Sequence, residues 1–425
     1  MASIRDRGQQ REKGGMSRRA EIPSFLADTW WFGLTDRLDE ARFLRLVTQR
    51  ARQGFTAAQI VVGIPPEVGP AHPSASSPVG PAWDLDGAPN DAYLRMAQTR
   101  IDLMNRQGLA AIVYGGWGPQ IDWIGQARMT AWWRRIVDVC DHLNVVYCLT
   151  GESDLWTSSR AARALLPDRS TDDLFGARSG VAAVPRYVSA IGRRLAPAGV
   201  RARRRERWSA VLADLAERTE RPIIVHTTSA IDGFQAVDDP TPLAANTVQT
   251  GHARRSEPEL WRRLLASREK NPGRPVVNLE PWYEGIRGQF WLEDQVRALW
   301  MSVGAGAHAI CYGAQGVWNV GDGAFLGHWG AQGFDQAMGL ASPTVLGATY
   351  RMLDGIGALR WPAVEATVAG KRLVKLRRAE GRGRFLEYYP DAADVRVGAE
   401  GRVFNPLTGA FIAALPRTGQ VVLMS

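Results

Sequence analysis

The sequence predicts an α/β fold: a (β/α)8 TIM barrel followed by a small C-terminal antiparallel β-domain. Eight short apolar segments lie between residues 25 and 313, and most are followed by a stretch with helical spacing. This alternation is typical of parallel strands covered by helices, and eight strands is the number that closes into a barrel. An open doubly wound sheet is disfavoured because no Gly-x-Gly-x-x-Gly turn follows the first strand.

The predicted strands end on polar or aromatic residues, where a buried core would place aliphatic ones. The eight segments span residues 25–31, 55–63, 109–114, 145–150, 222–228, 245–252, 276–279 and 308–313. Helical spacing fills most of the gaps, for example over 38–53 and 90–107, and a glycine closes each of these two helices. In a parallel barrel the carboxyl ends of the strands form the functional face, so we expect the site at this edge.

The pattern changes after Trp361. Seven short apolar runs separated by Gly, Pro and Asp lie between residues 364 and 423, which is typical of closely spaced antiparallel strands. The predicted organisation is therefore a disordered basic tail over 1–20, a catalytic barrel over 21–361 and a small β-sandwich-like domain over 362–425. The material over 334–353 is expected to be helical.

The composition is that of an ordinary globular protein with excess positive charge. The 425 residues carry a formal net charge of +9 and include three cysteines, with no Cys-x-x-Cys pair. This argues against a disulfide scaffold or a zinc knuckle and fits a reducing compartment. Residues 1–20 contain no apolar segment of a signal peptide, and no run of eighteen apolar residues occurs. We therefore expect a cytoplasmic protein.

Part of the positive charge is concentrated in one arginine cluster. Its members are Arg201, Arg203, Arg204, Arg205 and Arg207. Such a cluster could bind a polyanion, but no series of aromatic residues is interleaved with it, as a single-strand nucleic-acid binder would require. We expect it to lie on an exposed helix away from the functional site.

Two glutamates that follow predicted strands carry the catalytic hypothesis. Glu280 ends the seventh strand and Glu152 follows the fourth. Strands three apart in an eight-stranded ring place Cα atoms roughly 12–13 Å apart, so two inward glutamates leave about 5–6 Å between their carboxyl groups. A retaining glycosidase uses this spacing, with one carboxyl as nucleophile and the other as acid/base. The alternatives are that Glu280 caps a helix or forms a salt bridge, and that Glu152 pairs with an arginine.

The other strand ends supply candidates for substrate binding, since aromatic faces and polar side chains are what a sugar requires. They are Asp28, Trp30, Trp117, His226, His252, Trp282, Tyr283 and Trp318. Asp28 could equally satisfy backbone amides of the loop that follows it. His226 and His252 are also metal-ligand candidates, but the first strand lacks the His-x-His of a metal-dependent hydrolase. The glycine-rich stretch 313–316 lacks the Lys-Ser/Thr partner of a phosphate loop. We expect neither a metal nor a cofactor.

Five stretches spread over residues 22–360 are similar to one known family. They are Phe25–Trp30, Gly54–Ile60, Asn246–His252, Val277–Ile286 and Tyr312–Trp318, and the last two are the most specific. On these residues the chain resembles the apiosidase-like glycoside hydrolases, glycoside hydrolase family 140 and its relatives. The resemblance implies a (β/α)8 barrel, often followed by a small β-domain to which Val403–Gly409 is similar. It also implies a nucleophile at Glu280 and an acid/base at Glu152.

One stretch departs from that family. Its members usually carry Gly-Gly-Asp where this chain has Gly151, Glu152 and Ser153. Glu is one methylene longer than Asp, which leaves the sugar specificity more open than the reaction class. Many family members are also exported, whereas this chain shows no export signal.

The sequence therefore predicts a retaining glycoside hydrolase. We expect it to act on a furanoside or a related side chain of a plant or microbial polysaccharide, with no nucleic-acid or membrane partner. The alternatives are a non-catalytic carbohydrate-binding barrel, a metal-dependent hydrolase and a polyanion-binding protein. The sugar, the linkage, the choice between endo and exo action and the oligomeric state stay open.

Overall fold

Eight parallel strands form the wall of the barrel. The computed structural model describes residues 21–84, 86–155, 198–381, 383–396 and 399–425, so the predicted tail over 1–20 lies outside the described residues. The strands are β1 (Leu26–Trp30), β2 (Ala57–Val61), β3 (Ala110–Tyr114), β4 (Val145–Cys148), β5 (Ile223–Ile224), β6 (Asn246–Gln249), β7 (Val276–Glu280) and β8 (Ala309–Cys311). Almost all their residues are buried, as expected for strands covered on both faces.

The strands are hydrogen-bonded in the order β5-β4-β3-β2-β1-β8-β7-β6, and the ring is nearly closed. β5 and β6 are the two ends of this order. The backbone N–H of Ala244, two residues before β6, donates to the carbonyl oxygen of Ile223 at 2.7 Å. Thr247 Oγ1 also donates to the carbonyl oxygen of Val225. The predicted TIM-like barrel is thus confirmed.

Helices cover the outside of the barrel. The described helices are α1 (Glu40–Gln53), α2 (Asp91–Arg106), α3 (Ile121–Ile124), α4 (Gln126–Cys140), α5 (Ala198–Arg218), α6 (Glu259–Lys270), α7 (Leu292–Gly304), α8 (Phe334–Met338) and α9 (Ser342–Gly355). The single helical stretch expected over 334–353 is divided into α8 and α9, which a short turn at Gly339 separates.

The ends of the first two helices follow from their sequence. The Asp39 side chain accepts from the backbone N–H of Arg42 and caps α1. Asn90 caps α2 in the same way. Gly54 ends α1 with a φ of 97°, which glycine adopts without a steric cost. An N-terminal side-chain cap such as Asp39 or Asn90 stabilises a helix by about 0.5–2 kcal/mol.

A separate antiparallel sheet follows the barrel. Its strands are β9 (Ala363–Ala369), β10 (Arg372–Glu380), β11 (Arg384–Tyr389), β12 (Arg402–Asn405), β13 (Ala410–Ile412) and β14 (Val421–Met424), paired in the order β13-β12-β14-β11-β10-β9. Six strands therefore form where seven apolar runs were expected. Val395 and Arg396 of the missing run lie outside the strands, and Val397 lies outside the described residues.

The sheet packs on the barrel through α7. Trp300 of α7 stacks on Tyr388 at 6.2 Å and contacts Phe404 at 5.8 Å. Arg378 of β10 is 1% exposed, and its guanidinium donates to backbone carbonyls of the barrel unit, among them those of Val303 and Trp361. Among the described residues of 362–425 the strands form one sheet, and this sheet packs against a helix of the barrel. A sandwich-like domain would instead have a second sheet in that position.

None of the described helices has the length and apolar character needed to cross a membrane.

Candidate active site

Glu280 ends β7, and its carboxylate is held from the neighbouring strands. Gln249 Nε2 donates to Glu280 Oε1 at 2.6 Å, and His252 Nε2 lies 2.7 Å from the same oxygen. His226 Nε2, after β5, lies 3.4 Å from the other oxygen, Oε2. Three side chains from the ends of β5 and β6 therefore fix the orientation of this carboxylate.

The two histidines contact Glu280 through the same ring nitrogen. His226 Nδ1 accepts from the backbone N–H of Glu152 at 3.4 Å, and His252 Nδ1 accepts from the backbone N–H of Tyr283 at 3.4 Å. A ring nitrogen that accepts a hydrogen bond carries no proton, so these contacts place the imidazole proton on Nε2. Both Nε2–H groups then face the carboxylate of Glu280.

Glu152 follows β4 in a tight, strained turn. Its φ is +41°, in the left-handed region that residues other than glycine rarely adopt. Asp154 accepts from the backbone N–H of Thr228 at 2.7 Å and from its hydroxyl at 2.6 Å, which fixes the turn. A Cβ at Gly118 would lie 2.3 Å from the Glu152 carbonyl oxygen. Strain of this kind persists only where the surroundings over-determine the conformation.

One amide nitrogen joins the two carboxyl groups. Gln249 Nε2 lies 2.6 Å from Glu280 Oε1 and 3.4 Å from Glu152 Oε1, so these two oxygens are no more than about 6 Å apart. Trp117 Nε1 donates to the other oxygen of Glu152 at 3.1 Å. Paired carboxyl groups roughly 5–5.5 Å apart are the arrangement of retaining glycosidases.

The surroundings separate the pKa values of the pair. Burial, followed by repulsion from the Glu280 carboxylate, raises the pKa of Glu152 to about 8. Burial alone would raise the pKa of Glu280 too. It is outweighed by the hydrogen bond from His252, the electrostatic attraction of both imidazoles and the hydrogen bond from Gln249, so the pKa of Glu280 is below its ordinary value. At neutral pH Glu152 is therefore protonated and Glu280 is ionised.

Aromatic rings line the wall next to Glu152. Trp31 packs edge-on against Tyr114 at 4.8 Å and against Trp117 at 5.2 Å, and it stacks on His226 at 6.4 Å. Trp117 lies beside Glu152 and donates a hydrogen bond to it, and its role in substrate binding stays a prediction. Trp31 belongs to the site and was not among the predicted residues.

Asp28 and Trp30 do not reach the site, which corrects their assignment to substrate binding. Both are fully buried (0% exposed), and Trp30 packs edge-on against Phe43 of α1 at 6.1 Å. Asp28 Oδ2 accepts from Arg50 Nε of α1 at 2.6 Å and from Trp30 Nε1 at 2.8 Å. Successive side chains of a strand point to opposite faces, so Trp31, and not Trp30, turns toward the carboxyl groups.

The ion pair of Asp28 with Arg50 predicts a loss of stability. In an Asp28→Ala variant, the guanidinium stays buried without its partner, so the free energy of unfolding falls by about 3–5 kcal/mol. Urea denaturation followed by tryptophan fluorescence measures this change. A KM that rises while the free energy of unfolding stays unchanged would contradict the structural role and restore Asp28 to substrate binding.

The three aromatic candidates after β7 and β8 differ in their positions. The ring of Tyr283 lies 4.7 Å from that of His252, beside Glu280. Trp282 is 0% exposed, stacks on Phe290 at 4.6 Å and donates to Ser256 Oγ at 3.0 Å, so it supports the loop and offers no face to a sugar. Trp318 is buried and packs against Tyr283 at 6.4 Å.

Comparison with known proteins identifies the family. A sequence profile described as "Apiosidase-like, catalytic domain" matches residues 17–338 of this chain. The chain belongs to the apiosidase-like family. It is accordingly a glycoside hydrolase, and its substrate is a carbohydrate. A search among curated proteins gave no match.

Solved structures share the fold of this apiosidase-like chain. A glycoside hydrolase family 5 protein from Bacteroides vulgatus ATCC 8482 is 16% identical, with a TM-score of 0.69 over 95% of this chain and 89% of the other. A second structure, named only as a glycoside hydrolase, is 13% identical, with a TM-score of 0.69 over 95% and 92% of the two chains. At these identities the similarity concerns the fold alone.

Two further parts of the apiosidase-like site were not predicted. Gln249, which bridges the carboxyl groups, lies inside the stretch Asn246–His252 that resembles the family, and its position at the end of β6 was the available signal. Trp329 lies 6.3 Å from the His252 ring and is partly buried. It belongs to a long glycine-rich loop after β8, for which the sequence offers no spacing rule.

The arginine cluster is only partly exposed, which corrects a second expectation. Arg204 is 6% exposed, and its guanidinium donates twice to Asp122 Oδ2, at 2.9 and 2.6 Å. It also donates to the carbonyl oxygen of Leu155, three residues after Glu152. Arg204 thus fastens α5 to the segment that carries Glu152.

Within the described residues, no group of three or more His, Cys, Asp and Glu side chains is arranged to hold a metal ion. A slot between β7, β8, α7 and α9 includes Asn278, Gln295 and Leu346 in its lining. It lies on the outer side of the barrel wall, away from the carboxyl groups.

Proposed function

We propose that this chain is a retaining glycoside hydrolase in which Glu280 is the nucleophile and Glu152 the acid/base. The observation that carries the proposal is the carboxyl pair, joined by Gln249 and differing in protonation at neutral pH. The proposed substrate is a furanoside or a related polysaccharide side chain. The contacts of each carboxyl group determine its part in the two chemical steps of the reaction.

In the first step Glu280 attacks the anomeric carbon. Oε1 already accepts from Gln249 and His252. Among the described residues Oε2 has only the longer contact with His226, so Oε2 is the oxygen free to attack. A bond forms between this oxygen and the anomeric carbon while the glycosidic bond breaks. Glu152 donates its proton to the departing oxygen. The products are a glycosyl ester on Glu280 and the free leaving group.

In the second step Glu152 acts as a base. Its carboxylate takes a proton from a water molecule, whose oxygen attacks the anomeric carbon from the face that the leaving group has vacated. The ester bond breaks, Glu280 regains its charge and Glu152 is again protonated. Two inversions at one carbon give net retention of configuration.

The pKa values predict the pH dependence. Glu152 must be protonated for the first step, so kcat/KM falls as pH rises through about 8. Glu280 must be ionised, so activity persists below the ordinary range of a glutamate. In a Trp117→Phe variant the carboxylate of Glu152 loses a hydrogen-bond donor, so the pKa of Glu152 rises and the alkaline limb of kcat/KM moves to higher pH.

The pH profile of kcat/KM on an aryl glycoside, recorded for the wild type and for Trp117→Phe, measures the alkaline limb and its shift. An alkaline limb that stays in place in the variant would contradict the assignment of that limb to Glu152.

A panel of aryl furanosides and pyranosides tests the proposed function. We expect hydrolysis of at least one, with the anomeric configuration of the first product retained in a proton NMR time course. A non-catalytic carbohydrate-binding barrel would bind a sugar of the panel without hydrolysing it. An inverted first product would contradict the retaining mechanism while leaving the glycosidase intact.

A further inference from the structure

The protein itself fills one side of the site. β5 and β6 lie on the short arc of the barrel between β4 and β7, and their residues His226 and Gln249 contact both glutamates. Both side chains are buried. A sugar ring that places its anomeric carbon between the carboxyl groups cannot extend into this arc. It must extend over β8, β1, β2 and β3, where Trp31 and Tyr283 lie.

The long loop after β8 contacts the neighbouring loops on that side of the barrel. Phe325 of this loop packs edge-on against Phe32, after β1, at 5.1 Å. Arg37 stacks on Phe325 at 3.8 Å and donates to Asp322 Oδ2 at 2.9 Å. The loop after β8 is thus fastened to the loop after β1.

The same loop is fastened to the loops after β2, β6 and β7. Trp329 Nε1 donates to Glu67 Oε1, after β2, at 2.6 Å, and His328 Nε2 lies 3.2 Å from Glu67 Oε2. The ring of Trp329 contacts His252 at 6.3 Å, and Arg287 stacks on the Trp329 ring at 4.7 Å. Glu67 has a φ of 67°, so the bridging carboxylate itself sits on a strained backbone. A continuous rim therefore runs from β6 through β7, β8 and β1 to β2.

The leaving group departs elsewhere. Its oxygen must be within reach of Glu152, which follows β4 and lies outside the arc of this rim. A glycone placed in this way would face the rim, and its aglycone would lie toward Glu152 and the end of β4. A second sugar attached to the glycone would meet Trp329 and the Glu67 bridge.

We propose that the enzyme is exo-acting: it holds one terminal sugar in a blind pocket whose end wall is Trp329, fixed by Glu67. This inference rests on the proposed glycosidase function and adds to it the form of substrate. Trp329 and Glu67 determine specificity, and neither takes part in the chemical steps.

Paired substrates test the proposal. The first is the aryl monoglycoside that the panel selects. The others carry the same aryl group with one more sugar on each hydroxyl of the glycone in turn. We expect release of the aryl group from every extended substrate to be at least about 100-fold slower in kcat/KM, because the added sugar collides with a fixed wall.

Variants of the rim locate the wall. Trp329→Ala and Glu67→Ala should each raise kcat/KM on at least one extended substrate by about 10-fold relative to the monoglycoside. Trp291→Ala is the matched control, because Trp291 is 44% exposed at the start of α7 and lies outside the rim contacts. In this control the ratio of kcat/KM on the extended substrate to kcat/KM on the monoglycoside should equal that of the wild type. Trp329→Phe, which lacks the indole N–H that donates to Glu67, serves the same purpose if thermal melting shows that an alanine variant is unfolded.

The outcomes separate the two proposals. An extended substrate that wild type cleaves at the aryl bond as fast as the monoglycoside overturns exo action and leaves the glycosidase in place. Rim variants with the wild-type ratio overturn the assignment of the wall to Trp329 and Glu67. Failure to cleave any monoglycoside or extended substrate overturns the proposed function, and exo action with it.

Discussion

Replacing Glu280 with alanine is expected to abolish turnover on every leaving group. The variant has no group that can attack the anomeric carbon, so a better leaving group cannot compensate. Loss of an attacking group in a covalent mechanism lowers kcat by at least about 10⁴-fold. Initial rates on dinitrophenyl and nitrophenyl glycosides of the same sugar measure the effect.

Glu284→Gln is the matched control for this variant. Glu284 lies four residues further on and is 2% exposed, but it is bonded to Tyr312 at 2.5 Å and Ser342 at 2.7 Å behind the site. Burial raises its pKa, and glutamine is close in shape to the protonated acid. Its kcat should remain within about a few-fold of that of the wild type, because the substitution is conservative and removes no group of the site. Dinitrophenyl glycoside hydrolysis by Glu280→Ala at the rate of this control would exclude Glu280 as the nucleophile.

Replacing Glu152 with alanine is expected to make the rate depend steeply on the leaving group. The variant lacks the proton donor, so a poor leaving group such as an alkoxide loses general acid help worth about 10²–10⁴-fold. Dinitrophenolate needs little protonation, so the glycosyl ester on Glu280 still forms. The second step is then slow, because no base activates water, and the ester accumulates.

Adding azide, an external nucleophile, tests whether the accumulated ester can still be cleaved. Azide attacks without losing a proton and fits the space that the Glu152 side chain leaves. We therefore expect azide to restore turnover of the dinitrophenyl substrate and to yield a glycosyl azide of retained configuration. Equal losses on good and poor leaving groups, with no azide rescue, would exclude Glu152 as the acid/base. Asp154 is then no simple substitute, since both its oxygens accept from Thr228.

The fold was predictable because its signals are local and repeated. Apolar runs, helical spacing and closing glycines each depend on a few neighbouring residues, as the Asp39 and Gly54 ends of α1 illustrate. The positions of both glutamates followed from the same strand ends. Their proposed roles rest on the resemblance to the apiosidase-like family, since strand position alone makes the two glutamates equivalent.

The residues around the glutamates were less predictable, because strand parity decides which face a side chain occupies. The sequence shows that Asp28, Trp30 and Trp31 lie at the end of one strand. A shift of one residue along that strand moves a side chain from the face that packs on the helices to the face that points into the site. The sequence alone leaves Asp28 a candidate for sugar binding, because its partner Arg50 lies 22 residues away on α1. Arg204 was assigned to a solvated face because its partner Asp122 lies 82 residues away.

The rim was beyond prediction for a related reason. Glu67 and Trp329 are 262 residues apart and belong to two loops without regular periodicity. No spacing rule connects such loops, and glycine-rich composition indicates only that they turn. Gln249 is an intermediate case, since its strand end was identified but an amide is not a group that catalysis by itself requires.

Labelling the nucleophile is the most direct test of whether Glu280 forms a covalent glycosyl ester. A 2-fluoro dinitrophenyl glycoside of the preferred sugar slows both steps and forms a stable ester when the leaving group is good. We predict one equivalent of released dinitrophenolate and a sugar mass on the proteolytic peptide that contains Glu280, absent in Glu280→Ala and still present in Glu152→Ala. A label on the peptide that contains Glu152, or turnover of the cognate sugar with inversion and no labelled peptide, would contradict the account.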